Sequence, residues 1–178
     1  MPSLNVATIR SPREHVDRVY QPDAVAADDH SFTIAAPVAL SFDVEKAKDQ
    51  FRLVGRVQTA LELTCSRCLE PFVWPMEALF DLSYQPRAGF AAVGERQIDE
   101  EDFSTALYDN DEIDLGQLMA ERLYLALPMK PLCRDDCQGL CSQCGTNLNR
   151  GSCSCPRAWE DPRLAALKAI NLSIDREP

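Results

Sequence analysis

Residues 131–156 read PLCRDDCQGLCSQCGTNLNRGSCSCP, and this stretch decides how the rest of the chain is interpreted. A second Cys-x-x-Cys lies earlier, at Cys65 and Cys68. The stretch itself holds six of the eight cysteines, which are Cys133, Cys137, Cys141, Cys144, Cys153 and Cys155. A structural zinc ion takes four ligands, usually thiolates from short-spaced pairs that lie about 2.3 Å from the metal. Eight thiols in four such pairs therefore predict two structural zinc ions, with all eight cysteines as ligands.

The second half of this stretch predicts one compact four-thiolate site. Cys141-Ser-Gln-Cys144 has the spacing of a zinc knuckle. Gly145 suits a turn with positive φ, which would point backbone N–H groups at the sulfurs. Cys153 and Cys155 can complete the site, because residues i and i+2 of an extended segment project to the same side. The turn between the two pairs is expected from Asn147, Asn149 and Gly151.

The remaining four cysteines would form a second site by subtraction. Cys133 and Cys137 are left with Cys65 and Cys68, so this site would connect the two halves of the chain. The pairs could instead be disulfides, but the N-terminal sequence MPSLNVATIRSP has no apolar signal region that would indicate an oxidising compartment. The cysteine usage therefore favours metal binding in a reducing cytoplasm.

A redox function for Cys65 and Cys68 is the alternative interpretation. A redox Cys-x-x-Cys normally opens a helix, whose dipole lowers the pKa of the thiol. Here an alternating, strand-like segment follows the motif, which favours a metal site. Thiol oxidoreductase is kept as the second functional hypothesis.

The composition predicts a globular protein with one strongly acidic segment. The chain has 178 residues and 46% apolar content, which is enough for one buried core. It has no run of about 18 apolar residues, so no transmembrane helix is expected. The net charge is −10, and between Glu95 and Asp114 there are nine acidic residues against Arg96 alone. This excess of negative charge argues against a protein that coats nucleic acid through non-specific electrostatic attraction.

The first half of the chain predicts an antiparallel β-sheet. Residues 38–44, 51–63 and 72–84 alternate apolar and polar side chains, as half-buried strands do. Cys65 and Cys68 would lie in the tip of a long hairpin made by the last two segments, where a metal would fix the register of both strands. Weaker strand patterns cover residues 4–9 and 15–20.

The second half predicts a loop and then a helix. Residues 85–111 lose the periodicity, and their acidic run at 99–102 is interpreted as a solvated loop, because it lacks the spacing of a calcium loop. Asp114 is expected to cap a helix, with Gln117 in the capping-box position and Pro128 as the stop. The apolar face of that helix would be Leu115, Leu118, Met119, Leu123 and Leu127.

The predicted architecture is a single α+β domain over residues 1–178, in which one or two helices pack on the antiparallel sheet. Its parts are a β-rich half at 1–84, an acidic loop at 85–112, and a segment at 113–178. That last segment would hold the first helix, the Cys-rich zinc-stapled region and a short C-terminal helix. The second helix is expected to begin at Asp161-Pro162, an N-cap followed by proline at the first helical position.

Catalytic signatures are scarce in this sequence. His15 and His30 are the only histidines; neither has metal-site spacing, and both are expected on the surface. The chain has no Gly-rich phosphate loop. A closed four-thiolate zinc site also leaves no coordination position for water. The sequence therefore predicts a binding module and not an enzyme, with no small-molecule substrate and no membrane contact.

The basic residues near the cysteines offer a limited surface for RNA. Arg134, Arg150 and Arg157 could contact a few phosphates, but a handful of such salt-sensitive contacts cannot give tight non-specific binding. The acidic segment is better suited to a positively charged protein.

Four motifs in a fixed order resemble those of the YceD family of large ribosomal RNA subunit accumulation proteins. These are TCSRCLEPF, EIDLGQLMAERLYLALPMKPLC, CRDDCQGLCSQCGTNLNRGSCSC and DPRLAALKAI, and the resemblance covers residues 38–170. It implies a bacterial or plastid protein that supports 23S ribosomal RNA accumulation and large ribosomal subunit assembly without catalysis. The implied partner is the large-subunit precursor, through 23S rRNA or a basic ribosomal protein. Family members vary in how many C-terminal cysteines they keep, and this chain has the full set.

Overall fold

The residues that the structure describes form mostly β-sheet with one helix, as an α+β class predicts. The computed structural model describes residues 2–25, 32–87, 105–155 and Arg163. The strands, in chain order, are β1 (Ser3–Asn5), β2 (Arg13–Tyr20), β3 (Thr33–Ile34), β4 (Val38–Ala47), β5 (Gln50–Thr64), β6 (Pro71–Pro86), β7 (Thr105–Tyr108) and β8 (Glu112–Asp114). The helix α1 spans Leu115–Ala126, and two short 3₁₀ turns cover Val6–Thr8 and Pro22–Ala24.

The main sheet has the order β2-β4-β5-β6-β7, and β3 pairs with the far end of β5. Its pairs are antiparallel except β6 with β7, which is parallel. The expectation of a purely antiparallel sheet was therefore wrong at this edge. The prediction of a loop throughout residues 85–111 was also wrong, since β7 falls inside it. The acidic run at 99–102 lies outside the described residues.

The long hairpin of β5 and β6 forms because its apolar side chains alternate over the whole length. Leu53, Val57 and Leu61 are fully buried on one face. On the opposite face Arg52 and Arg56 are exposed. The two strands pair continuously from Phe51↔Tyr84 to Thr64↔Pro71, so residues 65–70 form the tip. This confirms the predicted hairpin with Cys65 and Cys68 in its turn.

A glycine allows the sheet to curl tightly beneath the core. Gly55 pairs with Phe42 on β4 and with Phe80 on β6. A Cβ atom at Gly55 would lie 2.2 Å from the carbonyl oxygen of Ser41 and 2.4 Å from the Cβ of Phe42. Glycine is the residue that permits such a close backbone approach. The phenyl rings of Phe42 and Phe80 then pack over this point, with centroids 6.3 Å apart.

The N-terminal segment differs from the predicted strand over residues 4–9. Only Ser3–Asn5 is extended, and it pairs with β8 through Leu4↔Ile113. The side chain of Asn5 accepts a hydrogen bond from the backbone N–H of Ala7, which starts a 3₁₀ turn. Asparagine side chains compete in this way with strand pairing, so the extended run ends early.

The helix α1 begins as predicted, with Asp114 as its N-cap. The Asp114 carboxylate accepts from the backbone N–H of Gln117 at 2.9 Å. The Gln117 side chain donates instead to Glu121, so the reciprocal half of the capping box is not made. Four apolar side chains of α1 are buried against the sheet, and they are Leu115, Leu118, Met119 and Leu123. The predicted second helix from Asp161 lies outside the described residues, apart from Arg163.

Candidate metal centres

The structure brings the eight cysteines together in two groups of four. Within each group the four sulfur atoms all lie within 4.8 Å of one another. The first group, here called the hairpin cluster, contains Cys65, Cys68, Cys133 and Cys137. The second group, here called the knuckle cluster, contains Cys141, Cys144, Cys153 and Cys155. This is the division that the sequence predicted from spacing and subtraction.

The sulfur spacing in the hairpin cluster fits a tetrahedral metal site. The Sγ atoms of Cys65 and Cys137 are 3.8 Å apart, and those of Cys68 and Cys133 are also 3.8 Å apart. A tetrahedron with metal–sulfur bonds of about 2.3 Å has edges of ~3.8 Å, whereas a disulfide bond is only ~2.05 Å long. All eight cysteines are free thiols in the structure. The donor set therefore fits a divalent metal such as zinc.

The hairpin cluster joins the tip of the β5–β6 hairpin to the segment after α1. Ser66 N–H donates to the carbonyl of Pro131 at 2.8 Å. The guanidinium of Arg67 donates to the carbonyl of Cys137 at 2.9 Å. Three of the cluster's cysteines are buried, and Cys133 is exposed. Distant parts of the chain therefore meet at four sulfurs that are largely shielded from water.

Both clusters use the same tight turn, built on different residues. Gly145 has φ +72° and its N–H donates to the carbonyl of Cys141 at 2.9 Å. Leu69 has φ +58° and its N–H donates to the carbonyl of Cys65, also at 2.9 Å. A leucine in the left-handed region is strained, because its Cβ crowds the backbone. The sequence indicated the Gly145 turn but gave no signal for Leu69.

The knuckle cluster is local in sequence and more open to solvent. Cys141 N–H donates to the carbonyl of Thr146 at 2.8 Å, and Leu140 pairs with Asn147 across the loop. The Sγ of Cys144 lies 3.1 Å from the hydroxyl of Thr146. The turn between the two cysteine pairs is closed by Arg150 N–H, which donates to the carbonyl of Asn147. The predicted turn at residues 147–151 is therefore confirmed.

Hydrogen bonds lower the pKa at two cysteines of each cluster, and the shift is large at Cys65 and Cys144. Burial raises the pKa of Cys65, but backbone N–H groups of Cys68, Cys133 and Arg67 donate to its sulfur and lower the pKa to about 6. The Thr146 hydroxyl, together with the Thr146 backbone N–H, lowers the pKa of Cys144 to about 6. Each cluster therefore holds a thiol that readily becomes a metal ligand.

Other cysteines in the clusters hold their protons tightly. Burial, and then the neighbouring thiols of its cluster, raises the pKa of Cys133 to about 12. The hydrogen bond with Cys144, followed by burial, raises the pKa of Cys155 to about 12. Four sulfurs at this spacing repel one another when charged, so complete deprotonation requires a cation between them.

One residue of the knuckle loop contacts the hairpin cluster. The Asn149 Nδ2 atom donates to the Sγ of Cys137 at 3.3 Å. The Arg150 guanidinium, next to it, pairs with the Glu70 carboxylate in the hairpin tip at 2.6 Å. Sequence reasoning assigned Asn149 only to a turn. Nothing in its spacing showed that the loop would fold back onto Cys137.

The basic residues expected near RNA already have partners within the protein. Arg134 donates to the Asn149 side chain at 2.8 Å and pairs with Asp136 at 3.3 Å. Arg150 holds the ion pair with Glu70, and Arg157 lies outside the described residues. Any RNA contact by Arg134 or Arg150 would therefore have to compete with these bonds.

Among the described residues, the histidine and the acidic side chains singled out from the sequence lie outside the two clusters. His15 lies on the outer sheet face between Asp17 and Asp43, as a surface histidine, and His30 lies outside the described residues. The hydrogen bond to Asp43 raises the pKa of His15. In the described part of the acidic segment, Asp109 pairs with Arg87 at 2.7 Å. None of the helices among the described residues has both the length and the apolarity needed to span a membrane.

The part of the chain that the structure describes defines a class of protein: a curled mixed sheet packed against a helix, with two four-cysteine clusters. The profile of the YceD family, described as large ribosomal RNA subunit accumulation protein YceD, matches residues 53–171. The chain therefore belongs to the YceD family. All eight cysteines lie inside the matched region. No solved structure matches the chain.

Curated relatives from plants and bacteria are similar over most of the chain. A Zea mays protein named large ribosomal RNA subunit accumulation protein YCED homolog 1, chloroplastic, is 30% identical over 75% of this chain and 53% of its own length. The Arabidopsis thaliana protein of that name is 27% identical over 77% and 49%. An uncharacterised Mycobacterium tuberculosis protein is 31% identical over 74% and 61%. The chain thus spans about half the length of the plant relatives.

Proposed function

We propose that this protein supports the accumulation of 23S ribosomal RNA and the assembly of the large ribosomal subunit, without catalysing a reaction. The observation that carries the proposal is the match to the YceD family over residues 53–171, which includes both cysteine clusters. The plant relatives, which are named large ribosomal RNA subunit accumulation proteins, support the same role. A cytoplasmic location goes with this proposal, because ribosomes are assembled there.

The metal in this proposal is zinc, with a structural role in both clusters. Four thiolates would close the coordination shell of each ion, so no position remains for a water or a substrate. A metal at the hairpin cluster would hold the segment after α1 against the β5–β6 tip. A metal at the knuckle cluster would close the loop between Cys144 and Cys153.

The partner in this proposal is a basic ribosomal protein of the large-subunit precursor. The acidic segment from Glu95 to Asp114 carries nine acids against Arg96, which favours a positively charged surface. RNA contact would fall on Arg134, Arg150 and Arg157. The partners already held by Arg134 and Arg150 support only a small RNA contribution.

The biological part of the proposal is tested by depleting the protein in its own host. We expect the ratio of 23S to 16S ribosomal RNA to fall, and large-subunit precursors to accumulate in sucrose gradients. Re-expression of the wild-type chain should restore both readouts. An unchanged RNA ratio and an unchanged subunit profile after complete depletion would contradict the proposal.

The partner is tested by crosslinking and mass spectrometry on the isolated large-subunit precursor. We expect crosslinks from the acidic segment to a lysine- and arginine-rich ribosomal protein. Crosslinks from this segment to RNA alone would reject the protein partner while leaving the role in assembly intact.

Thiol oxidation by Cys65 and Cys68 is the second candidate function. The observation that favours it is the pKa of Cys65, which is about 6. Against it, Cys65 is 0% and Cys68 3% exposed, so a protein substrate could not reach either sulfur. Alkylation of the zinc-loaded protein distinguishes the two: rapid, selective labelling of Cys65 would favour the redox function, and protection would favour the structural metal.

A further inference from the structure

We propose that the two clusters bind metal cooperatively, and that Asn149 is the residue that couples them. The inference rests on the structural zinc in the proposed function. Asn149 lies between Cys144 and Cys153, in the loop that the knuckle cluster closes. Its Nδ2 atom nevertheless donates to the Sγ of Cys137 in the hairpin cluster at 3.3 Å. The loop between Cys144 and Cys153 therefore belongs to the knuckle cluster and stabilises the hairpin cluster.

The Asn149 amide is fixed on both of its polar atoms. Its Oδ1 accepts from the backbone N–H of Gln138 at 2.8 Å and from the guanidinium of Arg134 at 2.8 Å. Its Nδ2 also donates to the Oδ1 of Asn147 at 2.9 Å. An amide held in this way has one orientation. Its donor consequently points at the Cys137 sulfur whenever the loop is closed.

Backbone contacts connect the same two regions. Leu148 N–H donates to the carbonyl of Gly139 at 2.9 Å, and Leu140 N–H donates to the carbonyl of Arg67 at 3.1 Å. Gly139 has φ +72°, and a Cβ there would lie 3.0 Å from the Arg67 carbonyl oxygen. The knuckle loop is thereby held against the hairpin tip, and Asn149 makes the contact with sulfur.

The contact should change metal affinity because of charge. Four thiolates around one divalent cation carry excess negative charge, and N–H donors to the sulfurs stabilise that state. When the knuckle cluster holds metal, its loop is closed and Asn149 is in place. When the knuckle cluster is empty, metal no longer closes its loop, and we expect the Nδ2 donor to spend less time near Cys137. By linkage, metal at the hairpin cluster raises the affinity of the knuckle cluster by the same factor.

The test is a Co²⁺ titration of the full chain, followed by visible absorption of the thiolate–cobalt bands and chelator competition. The variant Asn149→Asp keeps the acceptor for Gln138 and Arg134 but removes the donor to Cys137. Asn149→Ala is the uncharged second variant. A Cys141→Ser, Cys144→Ser double variant removes the knuckle cluster. Gln138→Ala is the control, since it removes a side chain that donates to the carbonyl of Asp136 and keeps the backbone N–H that donates to Asn149.

We expect the wild-type chain to bind two Co²⁺ ions, and either Asn149 variant to weaken the hairpin cluster by on the order of 10-fold. Removing the knuckle cluster should weaken the hairpin cluster by a similar factor, and combining the two changes should add little. Gln138→Ala should have a much smaller effect. Circular dichroism should show an intact sheet in every variant that is compared.

Two results would overturn the coupling while leaving the structural metal in place. One is an unchanged affinity of the hairpin cluster in both Asn149 variants. The other is a loss from knuckle removal that is equally large with and without the Asn149 donor. If the wild-type chain binds no Co²⁺ at either cluster, the structural metal itself is rejected, together with the coupling.

Discussion

The two cysteine clusters have the same four donors and the same tight turn, yet they occupy different places in the fold. The hairpin cluster joins Cys65 and Cys68 to residues that lie beyond α1, and three of its cysteines are buried. The knuckle cluster takes all its cysteines from residues 141–155, and none of them is buried. The same set of four cysteines therefore joins distant segments of the fold in one place and closes a single loop in the other.

The largest expected effect is the difference in stability between Cys65→Ser and Cys153→Ser. A link that closes about 65 residues, as between Cys68 and Cys133, stabilises a fold by ~4 kcal/mol, and one that closes about 10 residues by ~3 kcal/mol. Cys65→Ser also leaves a hydroxyl in a fully buried position, which costs about 1–3 kcal/mol if it finds no partner. We therefore expect Cys65→Ser to reduce the free energy of unfolding by about 2 kcal/mol more than Cys153→Ser.

Chemical denaturation of the zinc-loaded proteins measures this difference. Cys133→Ser is a useful third variant, because it removes a hairpin ligand at an exposed position. Comparing it with Cys65→Ser separates two contributions to the lost stability: the loss of the metal link between distant segments, and the burial of a serine hydroxyl. Equal losses for Cys65→Ser, Cys133→Ser and Cys153→Ser would mean that the two clusters do not differ as described.

A smaller effect is expected from exchanging the residues at the two tight turns. Gly145→Ala should destabilise the protein by about 1 kcal/mol, because alanine is strained at φ +72° although no atom lies within 4 Å of its Cβ. Leu69→Gly should be neutral or stabilising by up to about 1 kcal/mol, because glycine relieves the strain at φ +58°. Thermal denaturation measures both. A loss on Leu69→Gly as large as that on Gly145→Ala would show that the leucine side chain itself stabilises the hairpin cluster.

The smallest effect is expected from the ion pair that bridges the clusters. Arg150 and Glu70 are 2.6 Å apart, but their side chains are 76% and 37% exposed. Exposed pairs contribute only about 0.2–1 kcal/mol, and salt screens them. We expect Arg150→Ala to lower stability within that range, and less at high salt. A double-mutant cycle with Glu70→Ala measures the pair itself, and a coupling well above this range would indicate that charge, rather than metal, holds the clusters together.

The elements that the sequence predicted correctly are those with local, repeated signals. The strands β4, β5 and β6 alternate over seven or more residues, and α1 has both a cap at Asp114 and a stop at Pro128. The strands that were not predicted, β3, β7 and β8, are short and pair over long separations. The four residues of β7 join β6 in parallel, and β1 pairs with β8 from the opposite end of the described fold. Neither pairing leaves a periodic pattern or a hairpin turn in the sequence.

The candidate site was predictable to the level of ligand sets but not of their surroundings. Short cysteine spacings determine which thiols can share a metal, and the remainder follows by subtraction. The contact between Asn149 and Cys137 depends on how the knuckle loop folds back, and a turn-forming asparagine looks the same with or without it. The positive φ of Leu69 could not be predicted either, because leucine is not a residue that indicates a turn.

The central claim is that the eight cysteines form two separate metal centres, one linking distant segments and one local. Native mass spectrometry of protein purified under reducing conditions without chelator tests it most directly. We expect two zinc ions in the wild-type chain, and one in the Cys141→Ser, Cys144→Ser double variant, held at the hairpin cluster. A wild-type chain without zinc, or a double variant that still holds two ions, would contradict it.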